Sequence, residues 1–138
     1  KQRGFTLVEL MIVVIIIGIM TAVGVPLYLG YVKDAKVSSA KAVISTIVNA
    51  EKIYNQRYGT FTAVTAAEFE GDPTANPLNI DVRDATQNWT LVVDNVVADT
   101  SFDVTATGKV GTDYEGTTVK LEYSKTADEV WYVDGVAQ

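Results

Sequence analysis

An uncharged apolar run near the N-terminus limits what this chain can fold into more than any other feature. Residues 10–32 are 23 consecutive positions without a charged side chain. As a helix they reach about 35 Å, at ~1.5 Å per residue, and a bilayer core is ~30 Å thick. The run therefore predicts a helix long enough to cross a membrane. Glu9 adds one carboxylate at its N-terminal end, where an ionisable group is costly and usually has a partner.

Basic residues precede the run and predict its orientation. Lys1 and Arg3 indicate that the N-terminus faces the cytoplasm and that the rest of the chain lies on the other side. A cleaved secretory signal is one alternative, because residues 22–24 are small enough for cleavage. Two features argue against a signal peptide. The run is longer than the usual apolar core of ~7–15 residues in such a peptide, and the charged residue Glu9 lies at its start. A plain single-pass anchor is the other alternative.

Four weak helix formers interrupt the apolar run. They are Gly18, Gly24, Pro26 and Gly30, and proline lacks the N–H that would bond the carbonyl four residues earlier. The sequence predicts a kink or a local opening of the helix near residues 22–26. We interpret this stretch as one that can unwind when helices pack against each other. A fixed bend without a role is the alternative.

The helical period continues beyond the apolar run. Residues 33–59 carry an apolar stripe at steps of three and four, which predicts an amphipathic half of the same helix. Gly59 follows the last periodic residue and is a good stop signal, so one helix is predicted from 5 to 58. The predicted stripe consists of Val37, Ala40, Ile44, Ile47, Val48, Tyr54 and Tyr58, with Lys36, Lys41, Glu51, Lys52 and Arg57 largely off it.

The rest of the chain predicts a connecting region and then a sheet. Residues 60–88 connect the long helix to the sheet. The capping-box pattern of Thr65 and Glu68 predicts a helical turn in this region. Residues 78–82 predict a short edge strand or extended segment. Alternating residues in 89–138 predict an antiparallel sheet of about four strands with one buried face. The fold class is therefore α+β, with residues 37–58 packed on the sheet.

Charge and composition exclude several functions. Residues 1–51 carry five basic and three acidic groups, and residues 52–138 carry six basic and fourteen acidic ones, which argues against general nucleic-acid binding. The chain has no cysteine and no histidine, so thiolate catalysis and Cys/His zinc sites are absent. Ser38 and Ser39 have no plausible base beside them. We predict that the chain is not an enzyme and has no cofactor.

Residues 4–14, Gly-Phe-Thr-Leu-Val-Glu-Leu-Met-Ile-Val-Val, resemble the N-terminus of type IV pilins and of the pseudopilins of type II secretion systems. A basic residue precedes the glycine, and Gly18 and Pro26 also match the family. The resemblance implies that a prepilin peptidase cuts after Gly4, so that residues 1–4 are a leader remnant, and that Phe5 is then N-methylated. It further implies that Glu9 pairs with the amine of Phe5 on a neighbouring subunit and sets the subunit's register.

The resemblance also implies partners and location. Residues 5–32 form the transmembrane and filament-core helix, and the chain assembles with copies of itself into a helical filament. The precursor lies in the bacterial inner membrane, and the assembly machinery delivers it to an extracellular pilus. A periplasmic pseudopilus is the alternative, as is a membrane-anchored binding domain that does not polymerise. If residues 1–4 persist, the free amine belongs to Lys1, and Lys1 or Arg3 of a neighbouring subunit is then the alternative partner of Glu9.

Major pseudopilins of this family often bind calcium in an acidic loop near the C-terminus. The nearest counterpart is residues 111–116, with Asp113 and Glu115. Two carboxylates are few for an ion that takes six to eight oxygen ligands. We predict no metal there, which favours the pilin over the pseudopilin.

Overall fold

The structure, a computed structural model, describes residues 4–138; the predicted leader residues Lys1, Gln2 and Arg3 lie outside the described part. Helix α1 spans Leu7–Tyr58, which confirms the single long helix, although it begins at Leu7 rather than Phe5. The chain divides into two compact units. The first ends at Ala35 and the second, here called the head, is Lys36–Gln138. Helix α1 belongs to both units.

The head half of α1 buries one face. Ala40, Ile44 and Ile47 are completely buried and Val48 almost so, as the stripe predicted. Two predictions for this face are wrong. Glu51 is fully buried, although it was placed off the stripe, and Tyr58 is 59% exposed, although it was placed on it. Glu51 follows Ile44 and Ile47 at steps of seven and four, so helical geometry holds it on the buried face in spite of its charge.

The connecting region contains two short helices. Helix α2, Ala66–Glu70, confirms the predicted turn, and the N–H of Thr65 donates to the carboxylate of Glu68 at 2.7 Å. Helix α3, Arg83–Thr86, was not predicted. Residues 78–82 form no strand, and they remain an irregular segment. Asn79 adopts a positive φ of 51° there, and Leu78 and Val82 are buried.

The sheet is an antiparallel meander in the order β1-β2-β3-β4-β5. It has five strands rather than about four, because a final hairpin at Gly135 adds a strand of two residues. The strands are β1 Trp89–Val97, β2 Ser101–Gly108, β3 Thr118–Ser124, β4 Val130–Val133 and β5 Val136–Ala137.

One face of the sheet forms the core with α1, as the alternation predicted. Val93 pairs with Val104, and Val104 pairs with Leu121, so buried residues line up across three strands. The outer edge of β1 is partly covered, because Val64 exchanges two backbone hydrogen bonds with Val93. The other edge is the two-residue β5. Short or covered edges limit unintended strand pairing.

Candidate functional site

The first part of α1 exposes an apolar surface on every side. Its large hydrophobic residues from Leu7 to Tyr31 are 48% to 75% exposed. By length and composition the helix is long and apolar enough to cross a membrane, and its most apolar stretch is not buried at all. A helix that is hydrophobic all round is stable in a membrane or among other helices. This surface is therefore the principal candidate for anchoring and assembly.

Glu9 has a local role at the start of this helix. One carboxylate oxygen, Oε2, accepts hydrogen bonds from the N–H and the Oγ1 of Thr6, at 2.9 and 2.7 Å. The N–H of Glu9 donates back to the Thr6 Oγ1 at 3.2 Å. This is a capping box, which satisfies backbone N–H groups that the first helical turn leaves free. The second carboxylate oxygen stays available to a group from another chain.

Sequence reasoning missed this cap, although the signal was present. Residues 6–9 read Thr-Leu-Val-Glu, the same spacing that predicted the cap at Thr65 and Glu68. Phe5 and Glu9 are both exposed, so both are open to a neighbouring copy. Their predicted ion pair joins two copies, and it stays a prediction.

The predicted hinge residues lie on the open helix surface. The helix continues without a break through Pro26, so this chain on its own does not show the predicted local opening. A Cβ added at Gly18 or Gly24 would meet nothing within 4 Å. A shallow apolar depression of about 430 Å³ lies beside Gly24, between Ile17 and Tyr28. Small residues of this kind let a second helix approach closely.

The acidic loop does not gather metal ligands. The Glu115 carboxylate accepts a hydrogen bond from the N–H of Gly111 at 3.0 Å, which occupies one of its oxygens within the loop. Between residues 4 and 138, no group of three acidic side chains lies close enough to hold an ion. Asp113 is exposed.

Glu51 is a buried acid that the sequence did not single out. Its Oε2 accepts the backbone N–H of Thr62 at 3.1 Å, while its Oε1 has no hydrogen-bond partner within residues 4–138. Burial raises the pKa of Glu51 to about 7. The bond to Thr62 ties the first residues after α1 back to the helix. Glu51 therefore belongs to the head's architecture, not to the exposed apolar surface.

Comparisons with known proteins agree on one family. A family profile described as the prokaryotic N-terminal methylation motif matches residues 1–25. Fimbrial protein EcpC of Eikenella corrodens is 31% identical, over 73% of this chain and 79% of that protein. Type IV major fimbrial protein FimA of Dichelobacter nodosus is 32% identical, over 77% and 70%. Type IV major pilin protein PilA of Myxococcus xanthus is 41% identical over 44% of this chain and 29% of that protein. No solved structure gave a significant match.

Proposed function

This chain belongs to the type IV pilin family and is a structural subunit of a pilus, and we propose that it polymerises through residues 7–31 of α1 into a filament on the cell surface. The observation that carries the proposal is the apolar helix surface that nothing in residues 4–138 covers. The same surface suits the inner membrane before assembly and a bundle of neighbouring helices afterwards. The pseudopilin alternative is not favoured, since the three relatives described above are named as pilins or fimbrial proteins.

We also propose that a prepilin peptidase processes the chain between Gly4 and Phe5. Cleavage after Gly4 makes Phe5 the N-terminus, with an amine that carries a positive charge and a methyl group. The methylation-motif match at residues 1–25 supports this step. An N-terminal mass measurement on native filaments gives a methylated Phe5 if the proposal is right. A subunit that begins before Phe5 would contradict it.

Glu9 then registers one subunit against the next. The carboxylate and the Phe5 amine are each costly in apolar surroundings, and the pair lowers that cost only when two subunits dock at the correct height. A misplaced subunit leaves both charges unpaired. Glu9 therefore contributes mainly to specificity of assembly and less to its affinity.

Substitutions at Glu9 test this proposal, because capping and charge pairing respond differently to them. Glu9→Gln keeps an oxygen that accepts the Thr6 N–H but removes the charge, while Glu9→Ala removes both. We expect both variants to lose filaments from sheared surface material, as seen by electron microscopy, with subunit retained in the membrane. Thr6→Ser preserves the hydroxyl and serves as the matched control, with filaments in normal amount.

The alternative of an anchored, non-polymerising domain predicts the opposite result. In such a protein the loss of Glu9 is neutral or favours membrane insertion, because a costly charge is removed. Normal filaments made of Glu9→Gln subunits would contradict the proposal that the Glu9 charge sets the register of neighbouring subunits. Wild-type cells with the subunit at the membrane and no filaments would contradict the proposed polymerisation itself.

A further inference from the structure

A groove at the far end of the head's helix holds the head's one basic side chain without a partner. The Arg57 side chain makes no hydrogen bond, ion pair or ring contact within residues 4–138, whereas each of the seven other basic side chains of the head contacts a carboxylate or an aromatic ring. The head also contains fifteen acidic residues and eight basic ones. An unpaired cation in so acidic a domain is open to an anionic group from outside.

The groove has a defined shape. It measures about 720 Å³ and lies between residues 50–58 of α1 and the loop of residues 74–80; sites of ~300–1,000 Å³ accommodate groups the size of several side chains. Ile53 and Tyr58 are each 59% exposed at its helical wall. Its loop wall is held in place by Asn76, which is buried and donates to the carbonyl of Ile80 at 2.8 Å. The groove thus combines exposed apolar side chains on its helical wall with one free positive charge.

A complementary projection lies at the other end of the same head. Val110, in the loop of residues 109–116, is 86% exposed, more than any other large hydrophobic residue of the head. Asp113 in the same loop is exposed and makes no hydrogen bond or ion pair with the described residues. The loop is anchored by Tyr114, which is buried and stacks on Trp89 with ring centres 4.9 Å apart. It therefore presents an apolar group and a free carboxylate from a fixed base.

The two features cannot meet within one chain. Lys36 lies over the ring of Tyr114, 5.8 Å from its centre, which places the 109–116 loop at the start of the head's helix. Tyr54, in the groove, is eighteen residues further along α1, or about 27 Å at ~1.5 Å per residue. A knob and a groove at opposite ends of one domain form a head-to-tail contact, which extends without closing and so generates fibres.

We propose that the 109–116 loop of one subunit docks in the Arg57 groove of the next, with Val110 against Ile53 and the Asp113 carboxylate at the Arg57 guanidinium. The inference rests on the proposed polymerisation and adds a second contact, between heads, to the packing of the apolar helices. The occupant is a second copy of this chain. In the 109–116 loop of that copy, the negative charge of Asp113 complements Arg57, and the exposed Val110 complements the apolar side chains of the groove. The contact also repeats in one direction, as a filament requires.

Crosslinking in filaments tests the contact directly, because the natural chain has no cysteine. We expect filaments of the double variant Ile53→Cys, Val110→Cys to give a ladder of covalent oligomers with a short bismaleimide, and each single variant to give none. Ile53→Cys with Val136→Cys is the matched control, since Val136 is 65% exposed elsewhere on the head, and it should give no ladder. The proposal is overturned if intact filaments of the Ile53→Cys, Val110→Cys variant give no covalent oligomers. It is also overturned if the two cysteines crosslink to a different protein instead.

Charge reversal supplies a second test if the cysteine variants assemble poorly. Arg57→Glu places two carboxylates together and should reduce filament yield about tenfold or more, as expected for a close interfacial charge pair. Adding Asp113→Arg to the same chain should restore the yield. Failure of the double variant to recover, with subunit still folded in the membrane, contradicts the contact. Wild-type cells without filaments contradict the polymerisation itself, so the two failures are distinct.

Discussion

The carboxyl group of Glu51 lies in the core of the head with one of its two oxygens bonded to Thr62. A buried carboxylate loses the water that stabilises its charge, so burial favours the protonated form and raises the pKa of Glu51 from 4.5 to about 7. The bond from the Thr62 N–H opposes this shift but does not cancel it. Glu51 thus links the stability of the head to pH.

Glu51 should make the head less stable as the pH rises from about 4.5 to about 7. Below this window the group is protonated in both states and contributes no pH dependence. Between these two pH values Glu51 is ionised in the unfolded chain but still protonated in the folded head. The free energy of unfolding therefore falls as the pH rises, by roughly 3 kcal/mol for a shift of this size. Above it both states are ionised and the curve flattens.

We expect Glu51→Gln to abolish this slope. Its side-chain oxygen still accepts the Thr62 N–H, and any cost of the buried amide is the same at every pH. Urea unfolding of the detergent-solubilised full chain, followed by fluorescence of buried Trp89, measures the effect. Asp128→Asn, at an exposed position, should leave the slope unchanged. An unaltered slope in Glu51→Gln would contradict the assignment.

At the scale of elements, the sequence predicted those that repeat a simple pattern. The long helix, the capped turn at residues 66–70 and the first three strands all follow periods of 3.6 or 2. The same sequence reasoning misplaced Glu51, because a charged residue was read as exposed even though helical spacing put it between buried neighbours. Helix α3 and strand β5 were missed because elements of four and two residues carry no period.

The candidate site was predicted in part. The apolar half of α1 and Glu9 were found from the sequence, since an uncharged run with one acid is conspicuous in any chain. The proposed contact between Arg57 and the 109–116 loop was not predicted, and Asp113 in that loop was considered only as a metal ligand. The contact depends on Arg57 having no partner in its own chain and on the distance between the two features in the folded head. The pairing between copies depends on geometry that one chain does not contain.

Gly108 holds the 109–116 loop against the end of β2. A Cβ at this position would lie 2.2 Å from the backbone carbonyl oxygen of Tyr114, so Gly108→Ala must push the loop away. We expect a loss of roughly 1–3 kcal/mol, as for other overpacked sites, measured by thermal unfolding, together with weaker filament assembly if the loop docks as proposed.

Gly111→Ala is the matched control for this prediction. It lies in the same loop with nothing within 4 Å of an added Cβ, although its φ of +85° is unfavourable for alanine. We therefore expect a smaller cost of about 1 kcal/mol and a loop that stays in place. An unchanged unfolding temperature in Gly108→Ala would contradict the steric role of the contact between position 108 and the Tyr114 carbonyl.

On the scale of the whole molecule, charge and hydrophobicity are separated along the chain. Residues 10–32 are uncharged, whereas the head carries fifteen acidic and eight basic residues. In a filament built on the apolar helices, the repeated heads would present an acidic surface. Like charges on neighbouring filaments repel at low ionic strength, so the head's acidity should keep separate filaments apart while the apolar packing holds each one together.

Filaments should therefore bundle when the charge is removed. The full sequence has a net charge of -6 at pH 7 and an isoelectric point of about 4.5, and removal of Lys1 and Arg3 with the leader makes the formal charge of the subunit -8 (-6 - 2). Acidification to about pH 4 protonates carboxylates and so weakens the repulsion. At pH 7, ~1 M salt shortens the screening length to ~3 Å and should act in the same direction. Light scattering with electron microscopy would show lateral bundles of intact filaments.

The double variant Asp94→Asn, Asp128→Asn tests whether the acidic surface is the cause. Both side chains are exposed and neither forms an ion pair with the described residues, so the change removes two charges per subunit without breaking a contact. Bundling should then begin at a higher pH and a lower salt concentration than in the wild type. An unchanged onset in the variant would show that these two charges do not set the repulsion between filaments. Filaments that dissolve into subunits on acidification would show that charge on the heads acts within each filament.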